Sequence, residues 1–422
     1  MEGGSGGRRI VILGGGFGGL YAALHLAGRE VGGAPLDVAI VDRVERFTFK
    51  PLLYDLLTGE LAEEDVAPSF ADLLSGSPVR FVRAEVSSID LAARRVVLSA
   101  GEPGAEAALA FDALVVALGA EPYDFGVPGV VEHALPATTV EDFRRIRARV
   151  EALAGEGAGA PPTVAVCGAG PSGVEIACKL AEPGASGRGR ARLDVVLVEA
   201  RAEILPGFSP VLRDTAARAL ERKGVRLRLG AAVRAVDARG LVLAGKGGPD
   251  ERLPAALSLW TGGQRPPRPV RELEGVARDR SGRLVVPATL ELASHPGVFA
   301  IGDDARCALE GEDPPPATAQ VAVQQASVCA RNVIARLEGR PLASYRYLPL
   351  VEALTLGRAT DALELLGLRL EGYPAFALRR LFYLFRQPGP AGSKVGRGLR
   401  LFRRLLAAGI DAGIARWRGS RP

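Results

Sequence analysis

The chain has 422 residues, of which 48% are hydrophobic and 24% charged, a composition typical of a globular protein with two or three domains. Its four cysteines form no Cys-x-x-Cys or Cys-x4-Cys pair and its three histidines are scattered, so neither a redox-active dithiol nor a metal site is expected. No apolar run is long enough for a transmembrane helix. Residues 1–7 are a glycine-rich lead-in without the apolar core of a signal peptide, and whether a transit peptide has been removed stays open.

The first predicted unit is a strand, a glycine-rich turn, a helix and a second strand. An apolar run at residues 8–13 leads into Gly14, Gly16 and Gly19, and an apolar strand over residues 37–41 ends at Asp42. In a G-x-G-x-x-G turn the first glycine makes the tight bend, the second lets the backbone approach a pyrophosphate and the third lets the helix pack closely. The carboxylate that follows accepts hydrogen bonds from ribose hydroxyls, so this unit predicts a bound dinucleotide.

The same pattern recurs about 150 residues later, as an internal duplication. A strand at residues 163–167 precedes the turn containing Gly168, Gly170 and Gly173, a helix follows over residues 174–181, and a strand at residues 193–198 ends at Glu199. Two glycine turns in ordinary α/β units are the alternative, but they would have to acquire both downstream acids by chance. Each unit also contains an apolar strand that ends in glycine, at residues 114–119 and 257–263. The sequence therefore predicts an α/β protein with two Rossmann-like dinucleotide-binding domains.

Glu199 bears on which nicotinamide is used, because a carboxylate at this point repels the 2′-phosphate of NADPH. Arg201 lies close by and would attract that phosphate. The pattern favours NADH as the electron donor and leaves NADPH open.

A third apolar strand, at residues 298–303, ends in Gly302 and Asp303 and lies downstream of both glycine turns. In this arrangement it belongs with the first unit, which resumes after the second unit has been inserted. Asp303 is then expected to accept hydrogen bonds from the ribityl or pyrophosphate region of a flavin. A helix is predicted over residues 318–337.

The end of the chain is basic and predicted to be helical over residues 375–386 and 394–418. In the second stretch an apolar stripe recurs at helical spacing, arginines lie beside it, and Trp417 lies near its end. These features are typical of a helix in a membrane interface. The alternatives are core packing, a homodimer contact and a basic nucleic-acid tail, and no base-reading module accompanies the charge. We therefore expect no nucleic-acid partner.

In its order of motifs the chain resembles the two-dinucleotide flavoprotein reductases, and within them the type II NAD(P)H dehydrogenases, or alternative NADH:quinone oxidoreductases. The resemblance covers residues 8–414 and rests on residues 14–19, 49–54, 117–119, 168–175, 259–263, 299–303 and 319–325. Residues 47–54, 354–358, 368–372 and 394–396 look like the plant and cyanobacterial branch that reduces demethylphylloquinone, whereas Glu199 is more typical of NADH-using bacterial members.

The resemblance implies that hydride passes from NADH or NADPH to FAD, and that two electrons then pass to a membrane prenylquinone of the demethylphylloquinone, plastoquinone or menaquinone class. It implies that Gln320 and Gln324 line the flavin and quinone region, and that Glu175 positions substrate or carries a proton. The alternatives are a first-turn acid that complements a helix dipole for Glu175, and a polar helix face for the glutamines. The cofactor carries the chemistry, so no nucleophile is required.

The remaining candidate site residues divide between the two cofactors. For FAD they are Gly14, Gly16, Phe17, Gly19, Asp42, Arg43, Lys50, Pro51, Ala117, Gly119, Gly302, Asp303, Ala319 and Gln320. For NAD(P)H they are Gly168, Gly170, Pro171, Gly173, Glu199, Gly262 and Gly263.

The resulting hypothesis is a peripheral membrane NAD(P)H:quinone oxidoreductase facing a reducing compartment: chloroplast in a plant or alga, or the cytoplasmic side of a bacterial membrane. We expect an FAD domain over residues 8–123 and 283–350, an NAD(P)H domain over residues 124–282, and a C-terminal membrane-association or dimerisation segment over residues 351–422. A soluble reductase of a protein acceptor such as ferredoxin, and a flavin-binding protein without activity, are the alternatives. Turnover with quinone separates them.

Overall fold

A computed structural model describes residues 7–99, 107–155, 160–182, 192–245, 248–308, 313–357 and 360–389. Its α-helices are α1 (Phe17–Leu26), α2 (Glu63–Val66), α3 (Phe70–Leu73), α4 (Val130–His133), α5 (Val140–Gly155), α6 (Pro171–Leu180), α7 (Pro210–Arg222), α8 (Arg268–Arg271), α9 (Ala319–Leu337) and α10 (Tyr373–Arg386). Two 3-10 segments, Lys50–Leu56 and Gly302–Asp304, connect elements near the glycine turns.

The first unit is built on a parallel sheet of five strands. In spatial order these are Val298–Ala300, Ala113–Val116, Arg9–Leu13, Asp37–Asp42 and Arg80–Arg83. The central strand is a continuous apolar run because helices cover both faces of a parallel sheet, and its last four residues are at most 3% exposed. Burying each such side chain stabilises the fold by roughly 1.5–3 kcal/mol.

The second unit repeats this sheet. Its parallel strands, in spatial order, are Ala134–Pro136, Leu257–Trp260, Thr163–Cys167, Asp194–Glu199 and Arg226–Leu229. In both sheets the strand before the glycine turn is central, with the acid-bearing strand on one side and the strand that ends in glycine on the other. The predicted pair of Rossmann-like units is therefore confirmed.

The two units are linked by a short antiparallel ribbon of Glu121–Pro122 and Gln264–Arg265, where the chain leaves and re-enters the first unit. Glu121 Oε1 accepts from Arg265 Nε at 2.9 Å and from an Arg271 nitrogen at 3.2 Å. These charge-assisted bonds tie both crossings together.

Smaller antiparallel sheets flank the units. Val86–Asp90, Arg95–Leu98 and Ala108–Ala110 form one, and Val233–Asp237, Gly240–Leu243 and Glu251–Pro254 form its counterpart in the second unit. Two-stranded pairings join Glu30–Val31 with Ala34–Pro35, and Leu284–Val286 with Ala305–Cys307. Strand Arg80–Arg83 belongs to the parallel sheet, and the neighbouring antiparallel hairpin begins at Val86.

The C-terminal part of the described chain is a three-stranded antiparallel sheet followed by α10. Its strands are Val351–Thr355, Asp361–Leu365 and Leu368–Gly372. The sheet packs on α6, α7 and α10 and thus lies against the second unit. This sheet was not expected from the sequence, whereas the helix predicted over residues 375–386 is present and begins two residues earlier. The predicted amphipathic helix at residues 394–418 lies outside the described residues.

The predicted domain boundaries stay a prediction. Strand Val298–Ala300 completes the first sheet although it follows the second unit in the chain, as a discontinuous FAD domain requires. Among the described residues, no helix is both long and apolar enough to cross a membrane.

Candidate functional site

The glycine turn of the first unit has the geometry that a bound pyrophosphate needs. Gly14 has a φ of +94°, and a Cβ there would lie 2.2 Å from the Ala117 carbonyl oxygen. A Cβ on Gly19 would lie 1.8 Å from the Gly14 carbonyl oxygen, so α1 can approach the strand only with glycine at this position. Gly16, between them, faces space with no atom within 4 Å of a Cβ. Two glycines are thus required by packing, and the third leaves an open cradle.

The second turn repeats this division. Gly168 has a φ of +106° and approaches Gly262, whose Cα would lie 2.8 Å from an added Cβ. A Cβ on Gly173 would lie 1.8 Å from the Gly168 carbonyl oxygen, and one on Gly170 would meet nothing within 4 Å. The same solution at both turns indicates two cradles of the same kind.

Each cradle opens onto the start of a helix whose first N–H groups have no side-chain cap. Gly16 precedes Phe17 at the start of α1, and Gly170 precedes Pro171 at the start of α6. Free N–H groups and the positive end of a helix dipole bind phosphate oxygens. The turns therefore fit the diphosphates of FAD and of a nicotinamide dinucleotide.

The two acids that follow the turns are held in the same way. Asp42 Oδ2 accepts from the Gly15 N–H at 2.6 Å, and Glu199 Oε2 accepts from the Ala169 N–H at 2.7 Å. The second oxygens accept from Val44 and Arg201 N–H groups at 3.0 and 2.9 Å. Burial raises the pKa of Asp42 from its ordinary value, against these backbone donors. Each carboxylate is fixed beside its turn, with lone pairs left for a ribose.

The other candidate FAD residues lie around the first turn. Lys50 Nζ lies 3.9 Å from Asp303 Oδ2, and Arg43, on the surface, lies 3.8 Å from Glu85. The Pro51 carbonyl accepts from Arg379, and the Ala117 N–H donates to the Leu13 carbonyl at the end of the central strand.

Two buried side chains near this turn were missed by sequence reasoning. The Gly302 N–H donates to Gln325 Oε1 at 2.7 Å, and the Gly119 N–H donates to Asp304 Oδ2 at 3.0 Å. Burial raises the pKa of Asp304 well above its ordinary value. Gln325 directly follows the predicted Gln324, and Asp304 directly follows the predicted Asp303. This adjacency was the only feature of the sequence that pointed to them.

At the second turn, Gly262 and Gly263 come directly after the strand Leu257–Trp260, which lies next to the central one. The Tyr123 N–H donates to the Gly263 carbonyl at 3.0 Å, and the indole of Trp260 donates to the Tyr123 carbonyl at 2.8 Å. The turn is thus bonded to the crossing between the two units.

Glu175 is the fifth residue of α6, beyond its first turn, and is only 8% exposed. Its Oε1 accepts from the Thr355 N–H at 2.8 Å, and it also hydrogen-bonds the Tyr54 hydroxyl. Burial raises the pKa of Glu175 to about 8, although Thr355, Arg379 and Tyr54 oppose the shift. This pKa favours the protonated form of the buried carboxyl at neutral pH. An exposed acid in the first turn of a helix would be ionised at the same pH.

The cation whose charge lowers the pKa of Glu175, Arg379, is itself paired with an acid. Arg379 on α10 lies 2.6 Å from Asp361 Oδ2 and donates to Thr355 Oγ1 at 2.7 Å, with all three side chains buried. The charge of Arg379 is thus balanced by Asp361, and within the described part of the chain Glu175 makes no ion pair of its own. Arg379 was not predicted as a site residue, because its place depends on contacts distant in sequence.

Gln320 and Gln324, on the first turns of α9, hold a neighbouring loop. Gln324 Nε2 donates to the Leu348 carbonyl at 2.8 Å, and Gln324 Oε1 accepts from the Leu348 N–H at 3.1 Å. Gln320 donates to the Tyr347 hydroxyl at 3.2 Å and accepts from the Val351 N–H at 3.2 Å. Ala319 begins α9, which Thr318 caps. The two amides therefore hold residues 347–351 against the N-terminal part of α9. Gly302 lies beside the same part of this helix.

All four cysteines are buried free thiols, and burial raises their pKa values. Among the described residues no group of His, Cys, Asp and Glu could hold a metal ion. The site thus offers two dinucleotide cradles, at Gly16 and Gly170. The buried carboxyl of Glu175 lies on the helix that follows the second cradle.

Comparison with known proteins matches residues 8–326 to the family model described as pyridine nucleotide-disulphide oxidoreductase. The chain is 39% identical over 386 residues to demethylphylloquinone reductase NdbB of Synechocystis sp., covering 90% of this chain and 92% of that protein. It is 34% identical over 413 residues to alternative NAD(P)H-ubiquinone oxidoreductase C1, chloroplastic/mitochondrial, of Arabidopsis thaliana, covering 90% and 78%. Among solved structures, NDH2 from Plasmodium falciparum in complex with NADH has a TM-score of 0.80 at 17% identity, covering 94% and 97%, a likeness of fold.

Proposed function

The chain belongs to the pyridine nucleotide-disulphide oxidoreductase family, and within it to the type II NAD(P)H:quinone oxidoreductases, and we propose that it reduces a quinone with electrons from NAD(P)H. It is an FAD-dependent oxidoreductase. The single observation that carries the proposal is the pair of equivalent cradles at Gly16 and Gly170, each with its acid, in a chain whose relatives are named as quinone reductases.

When bound, FAD supplies the relay that accepts hydride from the nicotinamide and passes two electrons to the quinone. The protein holds both dinucleotides by the helix starts of α1 and α6 and by Asp42 and Glu199. Neither step requires a nucleophilic side chain, and the buried cysteines provide none.

The conversion of a quinone into a quinol takes up two protons as well as two electrons. We assign Glu175 to hold one of these protons, because its pKa of about 8 leaves it protonated at neutral pH. Tyr54 hydrogen-bonds both Glu175 and Ser172, at 2.9 Å for the latter, and so continues the polar chain toward the start of α6. A carboxyl with a pKa near the working pH is suited to repeated proton transfer.

We assign the quinone side to the region that Gln320 and Gln324 organise. Their amides fasten residues 347–351 to α9, and the strand that begins at Val351 leads to Thr355, which bonds Glu175. One continuous stretch of chain thus connects the two glutamines with the proton-holding carboxyl.

For the electron donor we propose NADH. The Glu199 carboxylate is bonded by two backbone N–H groups and is not paired with a cation in these contacts, so it would repel a 2′-phosphate. Replacing Glu199 by Gln should lower the ratio of kcat/KM for NADH to kcat/KM for NADPH by about tenfold. This is the size expected from removing the repulsion between one carboxylate and the 2′-phosphate at a solvent-exposed site. An unchanged ratio would remove Glu199 from this role.

We propose that the enzyme is a peripheral membrane protein that meets its quinone at the lipid surface. Exposed apolar side chains cluster in the C-terminal elements: Leu348, Leu366, Leu368, Tyr373 and Leu381 are each at least 41% exposed. They come from the segment before the three-stranded sheet, from the last hairpin of that sheet and from α10, and α10 packs on the two strands of this hairpin. The chain then continues into the basic segment at residues 394–418, which we propose as a second membrane contact, with a homodimer contact as its alternative.

The proposal is tested by steady-state oxidation of NADH by the FAD-loaded protein with a prenylated naphthoquinone in liposomes, compared with a ferredoxin in the absence of lipid. Saturable quinone-dependent oxidation supports quinone reduction. Turnover with ferredoxin and none with quinone would assign the chain to reductases of protein acceptors.

A further inference from the structure

Four charged side chains are buried together where three distant parts of the chain meet. Asp55 and Glu60 come from the first unit, Lys179 from α6 and Arg380 from α10. Lys179 Nζ lies 2.8 Å from Asp55 Oδ1 and 2.7 Å from Glu60 Oε1. An Arg380 guanidinium nitrogen lies 2.5 Å from Asp55 Oδ2 and 3.3 Å from Glu60 Oε2. No member of this charge cluster is more than 5% exposed at its side chain.

The cluster contains two acids and two bases, so its charges balance. Burial alone would raise the pKa of Asp55, but Arg380 and Lys179 hold it at about 2, and the two acids raise the pKa of Lys179 against its burial. Asp55 and Lys179 therefore stay ionised at neutral pH. A buried ion pair contributes little net stability, whereas removal of one partner leaves a buried charge unpaired. Such a cluster fixes geometry more than it adds stability.

The three parts of the chain that meet in the cluster also line Glu175. Lys179 follows Glu175 by four residues on α6, so both lie on the same face of the helix. Tyr54, which hydrogen-bonds Glu175, precedes Asp55. Arg379, which bonds Thr355 beside Glu175, precedes Arg380.

We propose that the charge cluster positions Glu175, by fastening α6 to the first unit and to α10 so that the carboxyl stays dry against Thr355. The cluster consists of positioning residues, which act on the reaction through Glu175. The inference rests on the proposed function for its catalytic consequence only.

The direction of the change in the pKa of Glu175 distinguishes positioning from a simple charge effect. Glu175 faces Tyr54 from the 3-10 segment, Arg379 and Tyr383 from α10, Asp361 from the C-terminal sheet, and Cys178 from α6. Loss of the Lys179 charge with unchanged geometry would raise the pKa of Glu175. Loosening of α6 would admit water and lower the pKa toward its ordinary value.

The test follows the unfolding midpoint of the FAD-loaded protein from about pH 5 to pH 9. A carboxyl whose pKa is raised in the folded state binds its proton more tightly there, so stability falls as pH rises until the folded-state pKa is passed. Asp42 and Asp304 also have raised pKa values, so the decline due to Glu175 is the difference between each protein and the same protein carrying Glu175→Gln. In the wild type this Glu175 decline should end near pH 8. In Lys179→Met, and in the charge-balanced Lys179→Met/Glu60→Gln, the decline should end at least about one pH unit lower.

Lys223→Met is the matched control, because Lys223 pairs with Glu182 just beyond the end of α6 and, among the residues that the structure describes, makes no ion pair to the first unit. It should keep the wild-type pH profile. The inference would be overturned if, in the charge-balanced variant, the decline in stability ended at the same pH as in the wild type or at a higher pH. That variant also covers the case in which Lys179→Met alone does not fold.

Kinetics give a second reading on the same variants. The charge-balanced variant should lose about tenfold in kcat for quinone reduction while the KM for NADH stays within about threefold, and Lys179→Arg should recover part of the loss. Unchanged kcat would contradict the inference. If the wild type itself does not turn over quinone, the proposed function fails, and the unfolding series still decides whether the cluster positions Glu175.

Discussion

The middle glycine of each turn separates cofactor binding from folding. Gly16 and Gly170 have φ values near −70° and open space at the Cβ position, so valine should be tolerated by the fold. We predict that Gly16→Val is purified without FAD, and that Gly170→Val retains FAD but has a KM for NADH raised about a hundredfold, as expected when a diphosphate contact is blocked. Flavin absorbance and steady-state kinetics measure the two effects.

The packing glycines give the control. Gly19→Ala and Gly173→Ala would place a Cβ 1.8 Å from a carbonyl oxygen, so both should lower the melting temperature of the FAD-free protein, unlike the two valine variants. Equal melting temperatures for all four variants would contradict the assignment of open cradles.

Glu175 should govern the pH dependence of quinone reduction. The carboxyl can donate its proton below a pKa of about 8 and cannot above it, so wild-type kcat should fall as pH rises through about 8. Glu175→Gln should reduce kcat by roughly ten- to a hundredfold and abolish this fall, while the reduction of the flavin by NADH stays within about threefold. A fall near the same pH in Glu175→Gln would assign it to another group.

At the level of single residues, sequence reasoning succeeded where chemistry is local. The glycines and the acids follow from fixed spacings within one strand–turn–helix unit. Gln325 bonds Gly302, which is 23 residues away in the chain, and Arg379 bonds Thr355, which is 24 residues away. Asp304 bonds Gly119, which is 185 residues away. Such pairings depend on the folded topology, which spacing does not encode.

At the level of elements, the attachment of residues 347–351 to α9 should matter for the quinone and less for the nucleotide. Gln324→Leu removes both bonds to Leu348 and leaves its backbone groups to water, since Leu348 is exposed. We predict a three- to tenfold higher KM for quinone, about 1 kcal/mol of binding, with an unchanged KM for NADH. An equal rise in both KM values would indicate a general loss of structure.

Sequence patterns predicted elements well where burial is two-sided or amphipathic. The central strands and α9 were placed within two residues, because an apolar run or a helical period marks them. The C-terminal sheet was missed, because its last strand exposes Leu368 and its side chains do not alternate cleanly between polar and apolar. Its strands are stabilised by contacts with α6, α7 and α10.

At the level of the whole molecule, the apolar C-terminal surface should set membrane affinity. Leu366 and Leu368 are 78% and 56% exposed beside the hairpin turn, so replacing both by Glu should leave folding intact. We predict about tenfold weaker binding to anionic liposomes in flotation, from lost apolar contact and charge repulsion, with unchanged turnover of a water-soluble quinone. Full binding by this variant would place the contact elsewhere, and Val131→Glu, on an exposed site of the second unit, is the control.

Electrons are expected to pass from NADH through the flavin to a quinone. The most direct measurement is anaerobic stopped-flow absorbance of the FAD-loaded protein, first mixed with NADH or NADPH and then with a prenylated naphthoquinone in liposomes. We predict fast bleaching of the flavin, faster with NADH than with NADPH, followed by fast reoxidation by the quinone. Fast bleaching with no reoxidation by any quinone would contradict the account.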